Sequence, residues 1–216
     1  MSDLVAHDGW VSEELAEELP ALGVVSCELP APRQRATPPG VRERLDLLSR
    51  RFHGAEAVVL RQRPIPHAYR VFFRHVGLDP DTTRVPAEAA AVERLVHGGF
   101  VSRGLIEDAL TIAVVETGVP LWALDAERVE GRLGVRLSTA GERLGRAPDA
   151  YELPAGRIVV ADGWAPLAPL FGDPAPDVAV TKRTRTLLLF AVRVEGVDAI
   201  YVEEALWACA AALRAE

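Results

Sequence analysis

The alternation of apolar and polar positions is clearest between residues 102 and 144. Leu105, Ile106, Ala109, Leu110 and Ala113 recur at helical spacing, with Glu107 and Thr111 on the opposite face. This predicts a buried amphipathic helix, with Ser102 as its N-cap. Gly118 tolerates a left-handed cap and Pro120 cannot continue a helix, so the helix should stop there. A strand is expected at 121–124, a polar turn at 125–128 and a second strand at 134–137. Residues 157–161, 165–171 and 186–194 also read as strands, the last being the longest apolar one. Pro166 and Pro169 suit a sheet edge or a pocket rim rather than a central strand. Residues 199–214 read as a closing helix with Val202, Leu206 and Cys209 inward.

Upstream, residues 12–19 predict a short helix whose first turn holds Glu13 and Glu14, where the helix dipole favours acids. A valine-rich strand follows at 22–29, then a proline-rich loop at 30–40 and a helix at 41–52 with Leu45 and Leu48 on one face. Helices are also expected at 68–76, ending at Gly77, and at 86–97, opened by Pro86. Helices and strands alternate irregularly. That favours an α+β fold with mixed or antiparallel sheets and packed helices over a doubly wound one. The expected organisation is a domain over 56–216, with a helix-and-strand segment at 1–55 packed on it.

At 216 residues, 49% of them hydrophobic, the chain can bury a sizeable core. No run approaches the roughly 18 apolar residues of a membrane span, so no membrane partner is expected. The acidic start has no basic region leading into an apolar one, which predicts a cytoplasmic protein with Cys27 and Cys209 reduced. A net charge of −7 argues against holding nucleic acid by general neutralisation of its backbone, so no DNA partner is expected. A local basic patch could still hold a tRNA.

Candidate chemistry is sparse. There is no phosphate-binding glycine loop, and Ser102 and Ser138 lack a GxSxG setting. His7, His53, His67, His75 and His97 never fall at ligand spacing, so neither a metal nor a cofactor is expected, and no catalytic residue stands out. Arg70 and Arg74 stand one helical turn apart, with Tyr69, Phe72 and Phe73 on the other side. They form either a solvated basic face or a two-pronged contact to phosphate or carboxylate. Asp125, between a strand and a polar turn, suits a capping role.

The segments GVPLWALDAERVEG, VRLSTAGERL, LPAGRIVVADG, APLFGD and VAVTKRTRTLLLF, in that order, resemble the tRNA-editing B3/B4 module of the bacterial phenylalanyl-tRNA synthetase β subunit. YRVFFRHVGLDPDTTRVPAEAAAVERLVHGG is similar to the entry segment of freestanding members, so the resemblance spans about residues 65–195. It implies a B3/B4-like α+β fold and a cleft that meets a tRNA acceptor end or aminoacyl-tRNA. The family's editing histidine falls on Trp122, its threonine on Leu110, its asparagine on Thr111 and its glutamate on Phe190. Its small Ala-Gly pair falls on Ala168 and Pro169, while Asp125, Arg136, Gly141, Glu142, Asp162 and Thr184 keep the framework. The expected cleft set is therefore Arg70, Arg74, Leu110, Thr111, Trp122, Asp125, Arg136, Ala168, Thr184 and Phe190. Three roles stay open. The chain is an aminoacyl-tRNA ester hydrolase acting in trans, a non-catalytic module for an amino-acid-like ligand, or a scaffold for a partner protein.

Overall fold

Period-two and helical patterning settle into separate parts of the molecule. The computed structural model describes residues 4–33, 36–148 and 150–215, which form a sheet unit (4–31 and 122–193) and a helical unit (32–121 and 194–215).

The sheet unit comprises β1 (His7–Asp8), β2 (Trp10–Val11), α1 (Glu13–Glu18), β3 (Gly23–Pro30), β4 (Leu121–Asp125), β5 (Gly134–Leu137), β6 (Ile158–Ala161), β7 (Pro166–Pro169) and β8 (Thr186–Arg193). One sheet runs β1-β3-β8-β4 and the other β2-β5-β6-β7. β3 and β8 pair antiparallel from Gly23 opposite Arg193 to Pro30 opposite Thr186. β8 is buried on both faces from 187 to 192, as its unbroken apolar run requires. In β3 alternation is visible at the far end, where Cys27 and Leu29 are buried and Glu28 and Pro30 are exposed. β2 lies parallel to β5, and β5, β6 and β7 pair antiparallel, so the pairing is mixed. β7 is an edge strand, which is where its two prolines leave no interior donor missing. Trp10 clamps the start of β5. Its Nε1 donates to the Arg132 carbonyl at 3.0 Å, its amide donates to Leu133, and its ring lies where a Cβ on Gly134 would stand, 2.0 Å away.

The helical unit comprises α2 (Pro39–Arg51), α3 (Gly54–Leu60), α4 (Pro64–His75), α5 (Pro86–His97), α6 (Leu105–Thr117) and α7 (Ala199–Arg214). α6 is its centre, packed against α2, α5 and α7. Ala109, Ile112 and Ala113 of α6 are fully buried, as are Ala205, Leu206 and Cys209 of α7, and the small residues let the helices approach closely. Three sequence expectations need correction. α4 begins at Pro64 rather than at 68, because proline suits a first helical position here as it does in α5. α3 carries no apolar periodicity, since Val58 and Val59 are exposed, and it was not foreseen. Ser102 is not the cap of α6. Gly104 holds that position with φ 132°, while the Ser102 hydroxyl donates to Asp108 Oδ2 at 2.6 Å. Asp108 also accepts from the Thr37 hydroxyl and the Arg103 amide, so the entry to α6 is tied down from inside its first turn.

Gly118 closes α6 with φ 78°, and a Cβ there would lie 2.9 Å from Pro66 Cδ. Gly118→Ala is expected to destabilise the protein by about 1–3 kcal/mol, combining the left-handed penalty with the proline contact. Urea denaturation should show a lower midpoint at unchanged slope.

Candidate functional site

β4 and β8 are neighbours in the first sheet, and that adjacency stacks two rings. Trp122 and Phe190 lie 5.4 Å apart between centroids and 17° from parallel. Phe171, just past β7, adds a third ring 6.0 Å from Trp122 at 50°. Phe171 holds φ 61°, the positive value of a non-glycine residue among those described, so the surrounding packing imposes a conformation that a bulky residue resists. Phe190 is fully buried and Trp122 half-buried, which leaves the indole as the accessible part of the stack. Chemically this is an apolar aromatic wall. The indole N–H can donate, but no atom of the three side chains can accept a proton as a base.

Beyond the wall, Asp125 ends β4 and has the capping role its position suggested. Its Oδ1 accepts from the Glu127 amide at 3.1 Å, and its Oδ2 accepts from the Thr184 hydroxyl at 2.7 Å. Asp125 and Thr184 are both buried, so this pair joins β4 to the approach to β8. Arg136 of β5 makes a two-pronged pair with Glu142, one arm at 2.8 Å, and Glu142 also accepts from the Thr139 amide. The hydrogen bond to Arg136 holds the Glu142 carboxyl below its usual value. Asp162 sits at the loop between β6 and β7. Burial disfavours its charged form, but the amides of Glu130, Trp164 and Ala165 and the Arg146 guanidinium outweigh burial and hold its pKa below the usual 3.8.

A carboxyl with a depressed folded pKa stabilises the native state above its unfolded pKa and loses that contribution as pH falls through the folded value. The sheet unit should therefore keep its full Asp162 contribution down to about pH 4 and lose it progressively below. Asp162→Asn should flatten that part of the stability–pH curve, measured by urea titration between neutral pH and pH 3. An unchanged slope would count against these amides and Arg146 as the groups that hold the Asp162 carboxylate.

The remaining expected cleft residues divide between the two units. In the sheet unit, Ala168 is buried in β7, opposite Val160 of β6. In the helical unit, Leu110 and Thr111 are half-buried on α6, and the Thr111 hydroxyl donates to the Glu107 carbonyl. Arg74 is exposed, but Arg70 is not on a solvated face. It is 5% exposed, and its guanidinium donates to Glu88 at 2.8 and 3.1 Å and to Asp81 at 2.7 Å. Arg70 thus ties α4 to the start of α5 and the turn before it. Phe171 and Arg146 were missed by sequence reading. The aromatic residue before Gly172 was a faint signal for the first, and the second had none.

The family model described as the B3/4 domain matches residues 68–203. The chain is 34% identical over 116 residues to a phenylalanine–tRNA ligase beta subunit of Xanthomonas oryzae pv. oryzae (strain MAFF 311018), covering 52% of this chain and 14% of that protein. It is 33% identical over 113 residues to one from Streptomyces avermitilis, covering 51% and 13%. It is 30% identical over 151 residues to one from Leifsonia xyli subsp. xyli, covering 68% and 18%. The match thus spans less than a fifth of the length of each of these relatives.

Proposed function

The chain belongs to the B3/4 domain family, and from that membership we propose that it binds the aminoacylated acceptor end of a tRNA in the cytoplasm. The Trp122–Phe190–Phe171 wall receives the amino-acid side chain. The wall is the observation that carries this reading, because stacked rings with one accessible face suit an apolar side chain or an unstacked base. The relatives named above are beta subunits of a ligase named for phenylalanine and tRNA, and an aminoacyl-tRNA combines both.

In this reading the chain acts in trans on mis-charged tRNA. A water oxygen attacks the ester carbonyl carbon, the bond to the ribose oxygen breaks, and the water proton passes to that oxygen. Since neither Trp122 nor Phe190 can act as base, backbone amides and the tRNA's own hydroxyl position the water and stabilise the oxyanion. The same rings favour a second reading, a module that holds the charged end without turnover. Ala168, Asp125, Thr184 and Arg136 of the sheet unit frame the ligand in both. A panel of mis-charged tRNAs separates the readings. Ester release above the buffer rate supports the first, and tight binding without release supports the second. Neither binding nor release would overturn both.

A further inference from the structure

A cavity of the sheet unit lies at the edge of the first sheet. Residues directly opposite one another on neighbouring strands point to the same face. His7 is opposite Ser26, Ser26 is opposite Phe190, and Glu28 is opposite Leu188, so these side chains share one face. The cavity has a volume of about 530 Å³ and is lined by His7, Ser26, Glu28 and Leu188, with Val5 and Arg132 among the others. Asp8, one residue on from His7, turns its side chain to the other face and contributes its carbonyl, which accepts from Arg132. The clamp that Trp10 places on the Arg132 carbonyl presents this arginine at the cavity.

The charges here are not spent on each other. Among the described residues neither Glu28 nor Arg132 forms an ion pair, and Arg132 donates only to the Asp8 carbonyl. A simple anion would meet Glu28, and a simple cation would meet Arg132. A ligand carrying both signs close together satisfies both. Val5 and Leu188 leave an apolar strip for the rest of it, and the volume falls in the usual range for small-molecule sites.

We propose that this cavity binds a free α-amino acid. Its ammonium pairs with Glu28, its carboxylate takes Arg132 with hydrogen bonds from His7 and Ser26, and its side chain lies along Val5 and Leu188. This goes beyond the function proposed above. Neither Trp122, Phe171 nor Phe190 lines it, although Ser26 stands opposite Phe190, and it needs no tRNA.

Isothermal titration calorimetry on the full chain tests it with leucine, valine and phenylalanine, their N-acetyl forms and their methyl esters. At least one free amino acid should bind with a Kd of about 1 mM or tighter. N-acetylation removes the ammonium and esterification removes the carboxylate, and each should weaken binding by about tenfold or more. Glu28→Gln, at an exposed position of β3, and Arg132→Gln, which can still donate to the Asp8 carbonyl, should each weaken binding of the free amino acid by a similar factor. Failure of this site is separable from failure of the tRNA reading, because this titration contains no tRNA and turns on Glu28 and Arg132, whereas that reading turns on Trp122. Absence of binding by every free amino acid, esters that bind as well as acids, or binding that survives both charge substitutions would overturn the proposal.

Discussion

Glu88→Ala is expected to destabilise the helical unit by about 3–5 kcal/mol, the usual result of removing one partner from a buried ion pair. Arg70 and Glu88 side chains are 6% and 8% exposed, so the guanidinium left behind cannot regain water without disturbing α4 and α5. Asp81 cannot take over the task. It already holds the other arm of Arg70 from an exposed position, where solvent weakens the attraction. The paired replacement of Arg70 by Met and Glu88 by Leu removes both charges together and should lie within about 1–2 kcal/mol of wild type, on either side. Chemical denaturation of the single and double variants measures the difference. Equal losses for both would show that side-chain volume, not stranded charge, governs this contact.

Trp122→Ala should weaken binding of a charged acceptor end by roughly 10- to 100-fold, in line with 1–3 kcal/mol for an aromatic platform. Uncharged tRNA should lose far less, because only the amino-acid side chain rests on the wall. The indole also covers Phe190, so a melting curve must accompany the titration to separate lost binding from lost fold. Selectivity follows from the same rings. Retaining a phenolic hydroxyl requires a buried partner, and the wall offers no acceptor. An apolar pocket disfavours an added hydroxyl by about a hundredfold at most. Phenylalanyl ends should therefore outbind tyrosyl ends on the same tRNA by roughly 10- to 100-fold. Turnover of the tyrosyl ester should be slow.

Much of the fold was legible because periodicity is a local signal. α6, α7 and β8 each carry an apolar spacing that only one kind of element satisfies, and the structure places them where that spacing requires. α3 was not legible, since a short helix with exposed valines has no stripe to read. The burial of Arg70 was hidden for another reason. An arginine beside core aromatics looks the same in sequence whether water or Glu88 surrounds it, and Glu88 lies 18 residues on, at the start of the next helix. At the site, the capping role of Asp125 could be read from its place after a strand and before a polar turn. The contact between Trp122 and Phe190 depends on which strands become neighbours, a property of topology. Phe171 completes the wall through a positive φ that no residue-level preference predicts.

The most direct test of the wall as the receiving surface is equilibrium binding of the wild-type protein to one tRNA in three states: phenylalanyl, tyrosyl and uncharged. The amino acids should be attached through a non-hydrolysable 3′ amide so that release does not blur affinity. The wall predicts phenylalanyl tightest, tyrosyl roughly 10- to 100-fold weaker and uncharged weakest. Equal affinity for all three, or a preference for the tyrosyl form, would contradict it.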